Sequence, residues 1–484
     1  MPMKFAIHTL GCKVNTYESD LMVQQMKAAG FDQVPFEEAA DVYLINTCTV
    51  TNIADRKSRQ MLHRAKAKNP DALIVAAGCY ANAVEQGKGL PEECVDLWVF
   101  NKEKSRIAEL VQEKLAERTA RADAALSAEN PGGCPAASSA GTSAWKEGLF
   151  LTELDGHTRA FVKIQDGCNQ FCSYCIIPYV RGRITGRPVE DTLNEAKKLA
   201  ARGVTEIVLT GIHLTSLGED LLRTMEGLEQ VEGIRRVRLG SLEPRLITTE
   251  FIETIGKFQK LCHHFHLSLQ SGSDTVLKNM NRHYTAEEYA AGCDLIRKAW
   301  PDAAITTDII VGFPRETEEE FRETLAFAKR VGFYEAHVFK YSRRKGTAAD
   351  RMDGQLTEAV KTERSNRLMA LCDEMSHDYR SRFVGKSVTF LYEETITADG
   401  KDYFTGFTPE YVRCLLPLPA PAALTPDLAS LSCASRNPAP ELTALATGPV
   451  SLPGVSPPVP GELITATATG LVTVKNLGEC LLLK

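Results

Sequence analysis

The 484-residue chain has no apolar run approaching the ~18 residues of a membrane-spanning helix, so a membrane span is not expected. It also lacks a strong net charge: 56 Lys and Arg stand against 62 Asp and Glu, a net charge of -6. No global field marks a nucleic-acid binder, and any RNA contact has to come from local basic patches. Residues Met1 to His8 have neither the apolar core nor the cleavage site of a signal peptide. They read as a strand, and a cytoplasmic location is expected. What the chain has in quantity is cysteine, with 14 residues. In a cytosolic chain that number points to metal or redox chemistry rather than to disulfides. A composition of 44% hydrophobic and 24% charged residues is ordinary for globular proteins, and the length suits about three domains.

Three of the cysteines share one short loop. Cys168, Cys172 and Cys175 lie between Gln165 and Pro178 at C-x3-C-x2-C spacing. Thiolate is the usual protein ligand of cubic iron–sulfur clusters, normally in fours. The local supply stops at three, which would leave one iron open to a substrate or cofactor. A structural zinc site would need a closed set of four ligands, typically two separated pairs.

The first domain is expected over residues 1–117. Three strand-length apolar runs each end in a cysteine: Cys12, Cys48 and Cys79. Helical patterns alternate with them, one starting near Asn15 with Glu18 as its capping-box partner and stopping at Gly30, another over 53–68. The alternation predicts an open α/β sheet, whose ligands gather beyond the carboxyl ends of the strands. Cys12, Cys48 and Cys79 all stand at such ends and can converge into a second three-thiolate cluster. Cys94 lacks that placement and reads as core.

Residues 118–153, rich in Ala, Ser and Gly, read as a flexible linker that contains Cys134, to which no function is assigned. From 154 to 384, strand candidates at 159–165, 206–210, 235–240, 264–269, 304–311 and 335–341 alternate with helices. One helix opens on a Thr317/Glu320 capping box. Six such units predict a partial (β/α)6 barrel with its site at the C-terminal strand ends. The loop of Cys168 follows the first strand, at that end. The other ends carry Thr210, Gly211, Glu243, Gln270 and Asp308, whose small or hydrogen-bonding groups suit a nucleoside-like pocket. His213, His263, His264 and His266 have no further ligand spacing around them, and a metal there is not expected. Arg181, Arg183, Arg187, Arg343, Arg344 and Lys345 form local basic groups near the expected mouth, available to phosphates if the substrate is RNA. Residues 385–484 read as a small β-barrel of short alternating strands, interrupted over about 416–460 by a proline-rich stretch that contains Cys433.

The Cys168-Asn169-Gln170-Phe171-Cys172-Ser173-Tyr174-Cys175 loop, with an aromatic before its last cysteine, resembles the radical S-adenosylmethionine (SAM) enzymes. The overall layout is similar to their methylthiotransferase branch: an N-terminal cluster domain, a radical SAM core and a C-terminal TRAM β-barrel. Leu10-Gly11-Cys12-Lys13-Val14-Asn15, Cys48-Thr49-Val50-Thr51, the stretch Ala54 to Gln60 and the stretch Arg159 to Cys168 look like the tRNA threonylcarbamoyladenosine methylthiotransferases. Lys340 departs from the family pattern, which has proline there, and the proline-rich stretch divides the TRAM module.

The resemblance implies two 4Fe-4S clusters, an auxiliary one on Cys12, Cys48 and Cys79 and a radical-generating one on Cys168, Cys172 and Cys175. It implies a SAM pocket that includes Tyr174, Thr210, Gly211, Glu243, Gln270 and Asp308. It also implies a flavodoxin- or ferredoxin-type electron donor and methylthio insertion at carbon 2 of N6-threonylcarbamoyladenosine beside the tRNA anticodon. The threonyl carboxylate would want an Arg or Lys, and Arg343, Arg344 and Lys345 are the candidates. The alternatives are a methylthiotransferase for isopentenyladenosine tRNA or a ribosomal-protein aspartate, and a zinc-stabilised RNA-binding protein without catalysis.

Overall fold

The computed structural model describes residues 2–126, 149–152, 158–418 and 458–484. Cys134, Cys433, most of the expected linker and most of the proline-rich stretch lie outside them. The chain divides into two compact units, Met1–Tyr379 with Pro409–Tyr411 and Arg380–Thr408 with Val412–Lys484.

The first unit opens with β1 (Lys4–Thr9), β2 (Asp32–Gln33), β3 (Val42–Thr47), β4 (Leu73–Gly78) and β5 (Leu97–Val99), a parallel sheet in the order β2-β1-β3-β4-β5. Every residue of β3 and β4 is buried. These continuous apolar runs need cover on both faces, as parallel strands usually do. One face packs Phe5, Leu44 and Val75 against Met22 and Met26, and the other packs Tyr43, Ile45 and Ile74 against Leu62. Each large apolar side chain so buried contributes about 1.5–3 kcal/mol. The helices are α1 (Lys13–Ala28), α2 (Asn52–Lys68), α3 (Cys79–Glu85) and α4 (Ile107–Leu126). α1 starts at Lys13 rather than Asn15, and no capping box forms. The Asn15 amide turns inward to donate to the carbonyls of Leu10 (2.7 Å) and Thr47 (3.0 Å), tying the helix to the ends of the sheet.

Eight further strands follow: β6 (Arg159–Lys163), β7 (Gln165–Asp166), β8 (Thr185–Gly186), β9 (Glu206–Thr210), β10 (Arg236–Leu239), β11 (His264–His266), β12 (Ala304–Val311) and β13 (Glu335–Lys340). β6, β9 and β10 form one parallel sheet, and β11, β12 and β13 another. Parallel bridges Val237–Leu261 and Leu242–Leu267 tie the two sheets together. Their alternation is chemical. Ala160, Val162, Ile207, Leu209, Val237, Leu239, Phe265, Ile305 and Ile309 join the apolar core. The intervening positions carry Arg159, Glu206, Arg236, Arg238, His264, His266, Asp308 and His337. A strand has a period of two, so these polar groups share the opposite face. The Thr317/Glu320 capping box forms as expected.

The second unit is a closed five-stranded barrel of β14 (Ser387–Ala398), β15 (Lys401–Phe407), β16 (Arg413–Pro417), β17 (Leu463–Val474) and β18 (Gly478–Leu483). β17 carries an irregularity between Ala468 and Gly470. β18 was not expected, because its run Cys480–Leu483 does not alternate.

Candidate metal centre

The first cysteine trio is assembled by three strand ends. Cys12 is the N-cap residue of α1, Cys48 follows β3 directly, and Cys79 is the first residue of α3 after β4. Glycines make two of these approaches possible. Gly11 has φ +105°, and a Cβ on it would meet Cys48 Cβ and Sγ at 3.0 Å. Gly78 has φ +97°, and its Cβ would meet Asn46 Oδ1 at 2.6 Å. Burial, with the neighbouring Cys79 and Cys12 adding to it, pushes the Cys48 thiol up to about 12. Crowded thiols that resist ionising are the condition a metal centre relieves, since its positive charge takes the proton's place.

The second trio sits on the loop after β6 and β7. Burial pushes Cys175 up to about 12, with Cys172 adding to the rise, and burial also raises Cys168. The turn into the loop depends on Gly167, at φ +71°, where a Cβ would lie 1.9 Å from the Arg183 carbonyl oxygen. Gly167→Ala should therefore cost at least about 1–3 kcal/mol in backbone strain and displace Cys168. Thermal melting together with iron content checks it, and a variant with wild-type values of both would contradict it.

Each trio has a guanidinium on one sulfur. Arg181 Nε donates to Cys79 Sγ and Arg282 Nη1 donates to Cys172 Sγ, both at 3.3 Å. Buried cations on sulfur favour a negatively charged centre. The trios are also joined through packing, because α3, which begins at Cys79, packs its Ala83 against Ile176, Ile177 and Val180 just after Cys175. Among the described residues, only His266, Asp308 and His337 have three ligand atoms all within 4.8 Å of one another.

A buried ion network connects the trios. Glu18 pairs with Lys104, Lys163 (2.8 Å) and Arg181 (3.1 Å), and Asp166 pairs with Lys163 and Arg181 (both 3.0 Å). Arg181 Nη2 also donates to Asn15 Oδ1 at 2.7 Å. Three cations face two carboxylates, so the excess positive charge lies beside Cys79. The expectation of Arg181 as a basic group near the mouth, available to phosphates, is corrected by the structure: its side chain is 1% exposed. Arg187 is likewise buried, against Glu195 and Tyr17. Arg344 is buried against Asp55 and Thr49. Arg343 is exposed and paired with Asp350, Arg183 is exposed over the Phe171 ring, and Lys345 is exposed.

The residues expected around a nucleoside divide into groups. Tyr174 and Glu243 stand by the second trio. The Tyr174 hydroxyl is raised well above its usual range by burial and by nearby Cys172. Glu243 accepts from Gln170 (2.9 Å) and His213 (3.1 Å) and faces Arg282 (3.5 Å). Burial alone would raise its carboxyl, but His213 and Arg282 outweigh this and hold it below the usual range. Thr210 is buried at the end of β9. Gly211 offers no open approach, because a Cβ there would meet Leu214 at 2.8 Å and Gln165 at 2.9 Å. Its smallness serves packing. Gln270 is buried with φ +72°, and its backbone N–H donates to the Asp308 carbonyl at 2.8 Å.

Asp308 belongs to the polar strand face, where His266 Nε2 lies 3.3 Å from its carboxylate and His337 completes a group of three. The expectation of no further ligand spacing around His266 is thus corrected, since Asp308 and His337 come from strands far along the chain. His263 stacks on Trp300 (5.0 Å between centroids), and His264 is buried beside Tyr411. Sequence reasoning missed Arg282 and the network of Glu18, Lys104 and Lys163, and no spacing signal marks them.

Lys13 follows Cys12 and is also new. It is exposed, and desolvation lowers its ammonium to about 8, helped by Arg238 and Arg159 and opposed by Glu206 and Asp308.

A family model described as the radical SAM superfamily matches residues 162–328, and one described as uncharacterized protein family UPF0004 matches residues 4–99. The chain is 40% identical, over 84% of its length and 89% of the relative's, to the threonylcarbamoyladenosine tRNA methylthiotransferase MtaB of Bacillus subtilis. It is 34% identical to the protein of that name from Thermotoga maritima, over 84% and 90% of the two chains. It is 35% identical to the tRNA-2-methylthio-N(6)-dimethylallyladenosine synthase of Moorella thermoacetica, over 84% and 90%. The radical SAM methyltransferase TsrM of Kitasatospora setae, solved with cobalamin and a 4Fe-4S cluster, covers 72% of this chain and 77% of its own at TM-score 0.49 and 14% identity.

Proposed function

Starting from a chain that belongs to the radical SAM methylthiotransferase family, we propose that it inserts a methylthio group at carbon 2 of N6-threonylcarbamoyladenosine in tRNA. The observation that carries the chemistry is the pair of cysteine trios, each with a guanidinium on one sulfur and joined through α3. The substrate follows the threonylcarbamoyladenosine relatives at 40% and 38% identity over most of the chain, against 35% for the dimethylallyladenosine synthase. Cys168, Cys172 and Cys175 would hold the 4Fe-4S cluster that works with SAM, and Cys12, Cys48 and Cys79 the auxiliary one. With SAM, the first cluster supplies the radical chemistry that an unactivated aromatic C–H requires.

The chain's own residues set the conditions. Glu243, kept ionised by His213 and Arg282, is an acceptor for amino or ribose hydroxyl groups at the second trio. Arg181 and Arg282 balance negative charge on the sulfurs. The Glu18–Arg181–Asp166 network clamps α1 to the start of the Cys168 loop, so the trios keep one mutual geometry. Tyr174, Thr210, Gln270 and Asp308 complete the proposed SAM region. The six parallel strands read as the partial barrel of the radical SAM core, the closed five-stranded unit as its TRAM module, and a flavodoxin- or ferredoxin-type protein as the electron donor. No described helix is long and apolar enough to cross a membrane.

Nucleoside mass spectrometry of tRNA from cells lacking the protein tests the reading. The methylthio mass should vanish from N6-threonylcarbamoyladenosine and return on complementation. Its loss from isopentenyladenosine, or from a protein peptide, would overturn the choice of substrate.

A further inference from the structure

We propose that His266, Asp308 and His337 bind a divalent first-row transition-metal ion on the polar face of the parallel strands. The three residues lie outside both cysteine trios. Strand register brings them together. β12 pairs its Asp308 with His337 of β13, and its Thr306 with His266 of β11. Thr306 and Asp308 are two residues apart, so the strand turns both to one face. Neighbouring strands lie about 4.8 Å apart, which sets His266 and His337 on either side of Asp308 within reach of one ion. The three ligand atoms all lie within 4.8 Å of one another.

The finer spacing also suits an ion. His266 Nε2 and Asp308 Oδ2 are 3.3 Å apart. A proton shared between an imidazolium and a carboxylate draws such atoms to about 2.7–2.9 Å. A tetrahedral ion with bonds of about 2.0–2.1 Å spaces its ligand atoms about 3.3–3.4 Å apart. The His266 ring is held from behind: its Nδ1 lies 3.0 Å from Thr306 Oγ1, which also meets His264 Nε2 at 3.3 Å. A hydrogen bond at one ring nitrogen aims the other, the usual support of a metal-bound histidine. His337 is exposed, with its ring centroid 5.9 Å from that of His266. Among the described residues no hydrogen bond or ion pair holds its side chain, so a turn of the ring closes the remaining gap. Two imidazoles and one carboxylate suit zinc, iron or cobalt rather than calcium or magnesium, which take oxygen ligands. Three protein ligands leave a coordination position open, and water reaches it past His337.

The test titrates the full-length protein, anaerobic and with its clusters loaded, with cobalt(II). SAM is left out, because Asp308 stands in its proposed region as well. Wild type should retain about one cobalt per chain beyond its iron, with the ligand-field spectrum of nitrogen and oxygen ligands. His337→Ala and Asp308→Asn should each weaken cobalt binding by at least about ten- to a hundredfold at unchanged iron content, since loss of even an outer support costs that much. His337 is exposed, so its replacement leaves the core intact, and equal iron content confirms the fold. Wild type that retains no cobalt overturns the proposal. So does cobalt bound as tightly by either variant as by wild type, or held only by sulfur, as thiolate-to-metal charge transfer would reveal. Any of these failures leaves the methylthiotransferase reading standing, because that reading rests on the cysteine trios.

Discussion

Glu18→Gln is expected to destabilise the protein by about 3–5 kcal/mol while keeping nearly the same shape. The native carboxylate holds Lys104, Lys163 and Arg181 together. With glutamine there, three buried cations would face Asp166 alone. The same network sets a pH dependence. Burial by itself would raise Glu18, but Arg181, Lys104 and Lys163 outweigh it and hold the carboxyl well below its usual range. Asp166 is lowered in the same way, by Arg181 and Lys163 against burial. A carboxyl lowered on folding stabilises above its unfolded pKa, near 4 for both residue types. That contribution is lost as the pH falls through the folded value. Wild type should therefore weaken on acidification below about pH 4, and Glu18→Gln should weaken less over the same interval. Urea denaturation at pH 7 and along an acid series reads both effects. A loss under about 1 kcal/mol at pH 7 would mean that the network relaxes around the amide.

Alanine at Cys168, Cys172 or Cys175 should abolish SAM cleavage outright and leave about four of the eight irons expected for two clusters. Alanine at Cys12, Cys48 and Cys79 should leave about four irons as well, yet retain SAM cleavage while methylthio insertion stops. The two sets separate because the trios come from different parts of the chain. The first is assembled by the ends of β1, β3 and β4, and the second by one loop. Loss of SAM cleavage in both sets would mean that the N-terminal trio serves folding or supports the other centre. Zinc in place of iron in anaerobically purified wild type would defeat the radical chemistry altogether.

Much of this was legible in the order of residues. The C-x3-C-x2-C loop is local, so its ligands need no folding knowledge to be grouped. Cys12, Cys48 and Cys79 were legible for a different reason: each ends an apolar run, and parallel strands place equivalent ends side by side. The short strands β7 and β8 and the unalternating β18 were not, because periodicity needs several residues to register. Basic residues misled most. A linear sequence marks Arg181 and Arg344 as charged but not that Glu18 and Asp55, each more than a hundred residues away, lie opposite them.

The sequence alone determined the inventory of the protein: two sets of three thiols, strands alternating with helices, and a separate C-terminal β-module. These are set by local spacing and by burial patterns, which survive in one dimension. The tertiary structure alone decided which charges meet. It turned Arg181 inward to Cys79, brought Arg282 to Cys172 and joined His266 to Asp308 and His337. Electrostatic partnership depends on distances of a few ångströms between segments far apart in the chain, and only folding sets those distances.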